Sequence, residues 1–493
     1  MPRSKEGFMW TPSQKIYGLE TDAVVPSTPS SQLKKSYDAI VIGAGFAGLI
    51  AARDLSLITG AEVLLLEARD RIGGRTWTAS AMGEHLEVGG TWIHWNQPHV
   101  FSELHRYNLH TNIKTSNGTF TPEKVYYSGP NRESMVLSEA ELNRRIEPIA
   151  KAFFTIDGLT SHDLMPYPHQ PFYQPSPWVR YDHLSIKDRL AQIDGSDDDK
   201  ALFETLVNTI GSDKSSEIAF VEPLRWYALG GHTMAGMFEI IESYKLGPGG
   251  QTLFARSILN EYRGHLKFET AIGKIEQEPR GVTITAEDGT TYKAKSVVCT
   301  IPLNCLRDIQ FSPPLSPLRQ EAIDRGHMNK ASKVHFKLRE PEKPWFAMAN
   351  TAGNSPFVLA FSDHTGTGHN VNSGTYTIAF GINGRVIDRE SSDDIISGFK
   401  KHLRPGVEVE SYVTHNWVDD PYSKGTWSSW GPGEMSKYLG ELQKSHGRVF
   451  MANADWAEGW RGFIDGAIEQ GAIAARSVHK VLLTDGTGIT SRL

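Results

Sequence analysis

The sequence predicts a mixed α/β (α+β) fold, in which a βαβ unit near the N-terminus belongs to one domain and a second domain is interleaved with it. Three observations carry that reading. "YDAIVIGAG" is a short β-branched apolar run ending in glycines at Gly43 and Gly45, as a buried strand entering a tight turn would be. "FAGLIAARDLSL" follows with apolar positions at helical spacing, and "EVLLLEA" is a second buried strand, which closes a βαβ unit that starts at Tyr37. Far downstream, short alternating strands from Leu266 and the apolar "GRVFMANAD" near the C-terminus read as strands of the same sheet, so the domains are discontinuous.

Taken in order, residues 1–36 are rich in Ser, Thr and Pro, as in "VVPSTPSSQLKKS", and lack helical or strand periodicity. They are expected to be a flexible arm. After about residue 105 the pattern shifts to longer polar and aromatic segments. "DDDKALFETLVNTI" is introduced by acidic residues that suit a helix N-terminus, and "GHTMAGMFEIIESYKL" reads as a helix stopped by "GPGG". "KFET", "GKIEQEP", "GVTITAEDG" and "TYKAKSVVCTIP" form an antiparallel meander, turned at "EDGT", that feeds a buried strand. Residues 311 to about 440 are mixed, and "IDGAIEQGAIAARSVHKVLL" is the final helix.

With 493 residues, roughly two or three domains are expected. Lys and Arg number 51 against 57 Asp and Glu, a net charge of -6, which supplies no basic field for nucleic acid. Cys299 and Cys305 are the two cysteines, too few for a disulfide framework and without zinc-site neighbours. A reducing compartment fits them. "MPRSKEGFMWTPSQKIYGLE" has no apolar core of a signal peptide, and no run reaches the length of a membrane span. The 18 histidines show no paired ligand spacing, so no metal is expected.

The chemistry begins at "GAGFAG", Gly43 to Gly48, which follows a strand and opens a helix. A glycine-rich turn there lets the backbone approach a pyrophosphate at the helix N-terminus. Glu67 ends the next strand, 24 residues beyond Gly43, where a carboxylate can accept hydrogen bonds from an adenosine ribose. Together they predict a Rossmann-like dinucleotide site. "EARDRIGGRTWT" adds Arg69, Arg71 and Arg75 around Gly73 and Gly74, a set able to hold a diphosphate from a second side.

"YDAIVIGAGFAGLIAARDL", "LLLEARDRIGGRTWT", "EVGGTWIHW", "VVCTIPLNCL" and "DWAEGWRGFIDGAIEQG" occur in this order, and together they resemble the flavin-containing amine oxidases, most closely the soluble fungal monoamine oxidases. The resemblance implies an FAD-binding domain of the p-hydroxybenzoate-hydroxylase type with a separate substrate domain, and oxidation of amines to imines with O2 as acceptor and peroxide as by-product. Residues 37–105, 248–310 and 440–485 are assigned to the FAD-binding domain, 106–247 and 311–439 to the substrate domain, and 486–493 to a tail.

The resemblance also carries site residues. Gly43, Gly45, Phe46, Ala47, Gly48, Glu67, Ala68, Arg69, Gly74, Arg75, Gly90, Thr91 and Trp92 match cofactor-binding positions in the N-terminal blocks. Ile272 in "TAIGKIEQ" matches a backbone contact to adenine, Trp417 a further cofactor position, and Asp455, Trp460 and Ile464 the last flavin-contacting block. In "SKGTWSSWGPG", Thr426 occupies the position of the cysteine that bonds the flavin in membrane-bound animal relatives, which implies non-covalent FAD. Trp427 and Phe463 match the two walls of the aromatic cage around the substrate nitrogen, while Trp430 reads as core. Lys333 in "NKASKVHFKL" matches the lysine that holds a water at flavin N5, and strand alternation puts it on one face with His335 and Lys337.

Rival readings are a polyamine oxidase with carboxylates along a tunnel, an L-amino-acid oxidase with Arg225 on the substrate carboxylate, and a flavoprotein scaffold without turnover. The expected partners are a small amine and O2, with a homo-oligomer, a dimer, as the assembly. The C-terminal "SRL" resembles a peroxisomal import signal read by an import receptor, so a peroxisomal location is expected, otherwise a cytoplasmic one.

Overall fold

The structure, a computed structural model, describes residues 1–58, 60–130, 134–386 and 388–485. The tail and its "SRL" lie outside the described residues. Two large sheets organise the chain. The first has eight strands, in the order His265–Lys267, Val63–Leu66, Tyr37–Ile42, Thr291–Cys299, Gly281–Ala286, Ile272–Glu278 and Gln310–Ser312, with Val449–Met451 also paired to Thr291–Cys299. Its centre is parallel: Tyr37–Ile42 lies between Val63–Leu66 and Thr291–Cys299. Ile40, Val41, Leu64, Leu65, Leu66, Val297 and Val298 are fully buried, as strands covered on both faces must be.

The meander read from the sequence is present except for "KFET": the strand there, His265–Lys267, pairs parallel with Val63–Leu66 at the opposite edge of the sheet. Ile272–Glu278, Gly281–Ala286 and Thr291–Cys299 pair antiparallel in succession, and the last of them joins the parallel centre. The helix Phe46–Ser56 and the final helix Ile464–Thr484 pack so closely that a Cβ on Gly471 would stand 2.3 Å from the Ala47 carbonyl oxygen.

The second sheet has nine strands and is antiparallel except where Trp345–Ala349 runs parallel to Lys124–Ser128. Its strand Ser332–Leu338 sits between Thr375–Gly381 and Val409–Thr414. Val334, Phe336 and Leu338 point into an apolar cluster with Phe357 and Phe399, so Lys333 and His335 point to the opposite face. No helix among the described residues is long and apolar enough to cross a membrane.

Two expectations change. The N-terminal arm is built into the fold: Phe8–Thr11 and Gln14–Tyr17 form a hairpin, and Phe8–Thr11 pairs with Val409–Thr414 at the edge of the second sheet. Ser4, Phe8, Leu19, Thr21 and Ala23 are buried. The arm lacks periodicity of its own because much of its support comes from distant segments: Ser4 donates to Asp70, Thr21 to the Thr78 carbonyl, and Phe8–Thr11 pairs with Val409–Thr414. The helix "GHTMAGMFEIIESYKL" is also shorter than expected. It spans Met234–Glu242, and Tyr244–Leu246 then becomes a strand paired with Ile113–Thr115.

Candidate active site

A cavity of about 440 Å³ is lined by residues of both sheets. One end is a glycine cradle. The helix Phe46–Ser56 starts at Gly45 with no side-chain cap, so its first N–H groups lack intrahelical acceptors and face the cavity with the positive end of the helix dipole. Gly43, at φ +102°, could not carry a side chain, since its Cβ would meet the Thr300 hydroxyl oxygen at 2.4 Å. Gly45 bridges Gly73, and a Cβ on Gly74 would stand 3.2 Å from the Gly45 Cα, so two glycine turns form one wall.

Glu67 anchors this end. Its carboxylate accepts from the Ala44 N–H at 2.6 Å and the Arg69 N–H at 2.9 Å. Burial pushes its pKa up, and those two N–H bonds and the Arg69 charge oppose the shift. Each oxygen keeps a further lone pair for a ribose hydroxyl. This combination of an uncapped helix N-terminus, an excluded-Cβ turn and a terminal strand carboxylate fits the diphosphate and ribose of a dinucleotide.

The other end is aromatic. Trp427 donates its indole N–H to the Ile210 carbonyl at 2.7 Å and lies edge-on to Phe380, with centroids 6.1 Å apart. Phe463 is held by Trp226 at 5.0 Å and Trp460 at 5.2 Å. Between the two ends stands Lys333, whose Nζ donates to the Gly89 carbonyl at 2.9 Å and to the Thr91 hydroxyl, 4.9 Å from the Trp92 ring centroid. Burial pushes the Lys333 ammonium down to about 7, against the opposing pull of Glu87.

Of the residues expected at the site, Gly43, Gly45, Phe46, Ala47, Glu67, Ala68, Arg69, Gly74, Arg75, Gly90, Thr91, Trp92, Ile272, Lys333, Trp417, Trp427, Phe463 and Ile464 all line the cavity. Five others do not. Gly48 packs under the turn, where a Cβ would meet the Gly43 carbonyl oxygen at 1.8 Å; its role is helix–strand approach. Asp455 is fully buried behind the wall and pairs with Arg75 at 2.8 Å. Burial opposes its charge, yet Arg75 and His327 hold its carboxyl below the usual range. It therefore aims Arg75, whose guanidinium also donates to the Thr426 carbonyl at 2.6 Å and Asn453 Oδ1 at 2.9 Å.

Arg71 is turned away as well, paired with Glu6 and stacked 4.6 Å from the Trp77 ring centroid. Trp460 packs behind Phe463, and Trp430 lies fully buried in the core. Arg225, the candidate for a substrate carboxylate, is spoken for: it donates to Glu222 at 3.1 Å and to the Gly459 carbonyl at 2.9 Å, and is fully buried outside the cavity.

Sequence reasoning missed Trp226, Glu242, Phe380 and Asn453 on the cavity wall. Alternation along Thr375–Gly381 places Phe380 on one face of its strand but not toward a ligand, and Glu242 gives no local signal. Glu6, His415 and Asp420 bring ligand atoms within 4.8 Å of one another, but Arg69 and Arg71 donate to their carboxylates, so this group is an ion-pair cluster. Cys299 and Cys305 are free and buried, and burial pushes both thiols up to about 12.

Residues 46–479 match the model of a family described as flavin containing amine oxidoreductase. The chain belongs to this family. It is 36% identical over 447 residues to a pseudooxynicotine dehydrogenase of Pseudomonas sp, covering 89% of this chain and 86% of that one. It is 31% identical over 451 residues to a nicotine dehydrogenase of Pseudomonas putida, covering 90% and 89%. Among solved structures, putrescine oxidase bound to putrescine superposes with a TM-score of 0.72 at 17% identity, over 90% of this chain and 99% of that one. Cyclohexylamine oxidase from Brevibacterium oxydans gives 0.72 at 19%, over 91% and 100%. The amine oxidoreductase thus uses FAD and oxidises amines. Its glycine cradle fits the dinucleotide part of that cofactor.

Proposed function

We propose that the chain oxidises primary amines, and secondary amines as a further class, to imines with O2 as acceptor, giving H2O2 and, after hydrolysis, a carbonyl compound. The observation that carries the reading is one continuous cavity that has a dinucleotide cradle at one end, an apolar aromatic chamber at the other, and the Lys333 amine between them. FAD, when bound, supplies the two-electron acceptor for the amine C–H bond. The chain's own residues do the rest. Trp427 and Phe463 present ring faces that favour an amine and orient it, and their locked packing excludes water. Lys333, held by Gly89 and Thr91, keeps a cation or amine donor in the middle of the cavity, where negative charge developing on oxygen would be stabilised.

FAD is held without a covalent bond in this reading. Thr426 stands on the wall with its hydroxyl donating to Asn329 Oδ1 at 2.8 Å, and a hydroxyl does not form the thioether that a cysteine would. Denaturation followed by centrifugation should leave the yellow colour in the supernatant; colour in the washed pellet would overturn the point. The activity is tested by anaerobic mixing with an amine panel, then admission of oxygen. Bleaching by amines followed by fast recovery with peroxide is expected. Bleaching without recovery in oxygen would replace O2 with another acceptor.

The "SRL" tripeptide supports import into peroxisomes, where peroxide is handled. A fluorescent fusion keeping "SRL" at its free C-terminus should form puncta in a fungal cell, and a diffuse signal would refute the assignment.

A further inference from the structure

Glu242 is the last residue of the helix Met234–Glu242, and it lines the same cavity as Ile241, Trp226 and Phe380. Its backbone carbonyl accepts from the Thr119 hydroxyl at 2.7 Å, which fixes the turn. Its carboxyl, by contrast, has no hydrogen bond or ion pair to any described residue, although the residue is half-buried on the cavity wall. Two separate costs act on it. A carboxylate at a helix C-terminus faces the negative end of the dipole, and a carboxyl among apolar side chains loses hydration. Three fully or nearly fully buried carboxylates elsewhere are met by cations: Glu222 has Arg225 and Arg461, Asp363 has Lys245, and Asp455 has Arg75.

We infer that Glu242 is a specificity-determining residue whose carboxyl receives a second, distal nitrogen base of the amine substrate, an amino or pyridyl nitrogen several atoms from the carbon that is oxidised. The missing partner of the carboxyl is then supplied by the ligand, and the pair shares one proton. With nothing beside it, burial pushes Glu242 up to about 8, so it can give a proton to, or hold the charge of, a basic nitrogen at neutral pH. A plain hydrocarbon tail placed there leaves the carboxyl unpaired and so binds less well. The tail length that reaches Glu242 from the carbon held between Trp427 and Phe463 sets the preferred substrate length.

This inference rests on the amine-oxidising reading of the same cavity, and its test separates the two. Anaerobic flavin reduction is measured for a length series of alkylamines against the matching α,ω-diamines, and for 3-phenylpropylamine against 3-(3-pyridyl)propylamine, in the wild-type holoenzyme and in Glu242→Gln and Glu242→Leu. At the best length the nitrogen-bearing member should be favoured at least ~10-fold in reduction rate over Kd, and Glu242→Leu should bring the ratio to one or below while plain amines react as well or better. Glu242→Gln keeps the shape of the side chain, and in it the diamine advantage should fall if the leucine variant does not fold. A ratio of one or less at every length in the wild type, or a ratio unchanged in both variants, overturns the inference while amine oxidation stands. Failure of every amine to reduce the flavin overturns both.

Discussion

Replacing Glu222 by Gln removes the one carboxylate between two fully buried guanidiniums. Glu222 accepts from Arg225 at 3.1 Å and from Arg461 at 3.0 Å, and all three side chains are 0% exposed. Burial works against the Glu222 charge, but Arg461 and Arg225 hold its carboxyl below the usual range; Arg225 itself is brought down to about 10 by burial and by Arg461. Deleting one member of a buried pair leaves an uncompensated charge, at a cost of about 3–5 kcal/mol. Scaled by about 2 cal/mol/K of unfolding entropy per residue, a chain of this size loses ~1 °C per kcal/mol, so a Tm drop of ~3–5 °C is expected. The site should feel it too. Arg225 also donates to the Gly459 and Arg461 carbonyls, which shape the loop that ends in Phe463. A slackened Phe463 should lower the rate of flavin reduction by amines on the order of tenfold while FAD content is unchanged. Differential scanning fluorimetry and stopped-flow absorbance read both effects. A Tm within ~1 °C of wild type would show that the two arginines shed their charge or their burial without help, and would refute the argument.

Trp427→Ala removes a cage wall whose packing against Phe380 holds it in place; anaerobic reduction by amines should slow at least ~10-fold, about 1.4 kcal/mol, with FAD still bound. Lys333→Met keeps the stem and deletes the amine, so reoxidation by oxygen should slow at least ~10-fold, more than anaerobic reduction does, in stopped-flow traces. The same variant has a signature in stability against pH. The folded pKa of Lys333, about 7, lies below the ordinary lysine value of 10.5, so the unfolded chain binds the extra proton between those values and wild-type stability from this group rises with pH across that window. The Tm advantage of Lys333→Met should therefore be largest below pH ~7 and shrink at pH 9. Deleting residues 1–24 strips the edge strand from Val409–Thr414 and takes Glu6 from Arg69 and Arg71, so Tm and FAD retention after gel filtration should both fall.

What could be read from the sequence is what is local. The "GAGFAG" turn, Glu67 at a strand end and the paired glycines Gly73 and Gly74 each express a backbone requirement within a few residues, and each lines or shapes the cradle. Trp427, Phe463 and Lys333 came from resemblance: alternation assigns Lys333 a face but says nothing about what that face meets. The errors have one cause, which is compensation across long separations. Arg71 looks like a diphosphate ligand in its own segment because Glu6, which claims it, lies 65 residues away. The arm looks structureless because its partners are Val413 and Tyr412. Asp455 looks like a cofactor contact, whereas it acts through Arg75. Glu242 is the converse case: at the C-terminal end of an amphipathic helix it resembles a solvated residue, and only the tertiary structure reveals that it lines the cavity with no ion-pair partner among the described residues. A buried charge whose partner is distant in sequence is invisible locally, and a cavity-lining carboxyl with no partner among the described residues directs attention to the ligand.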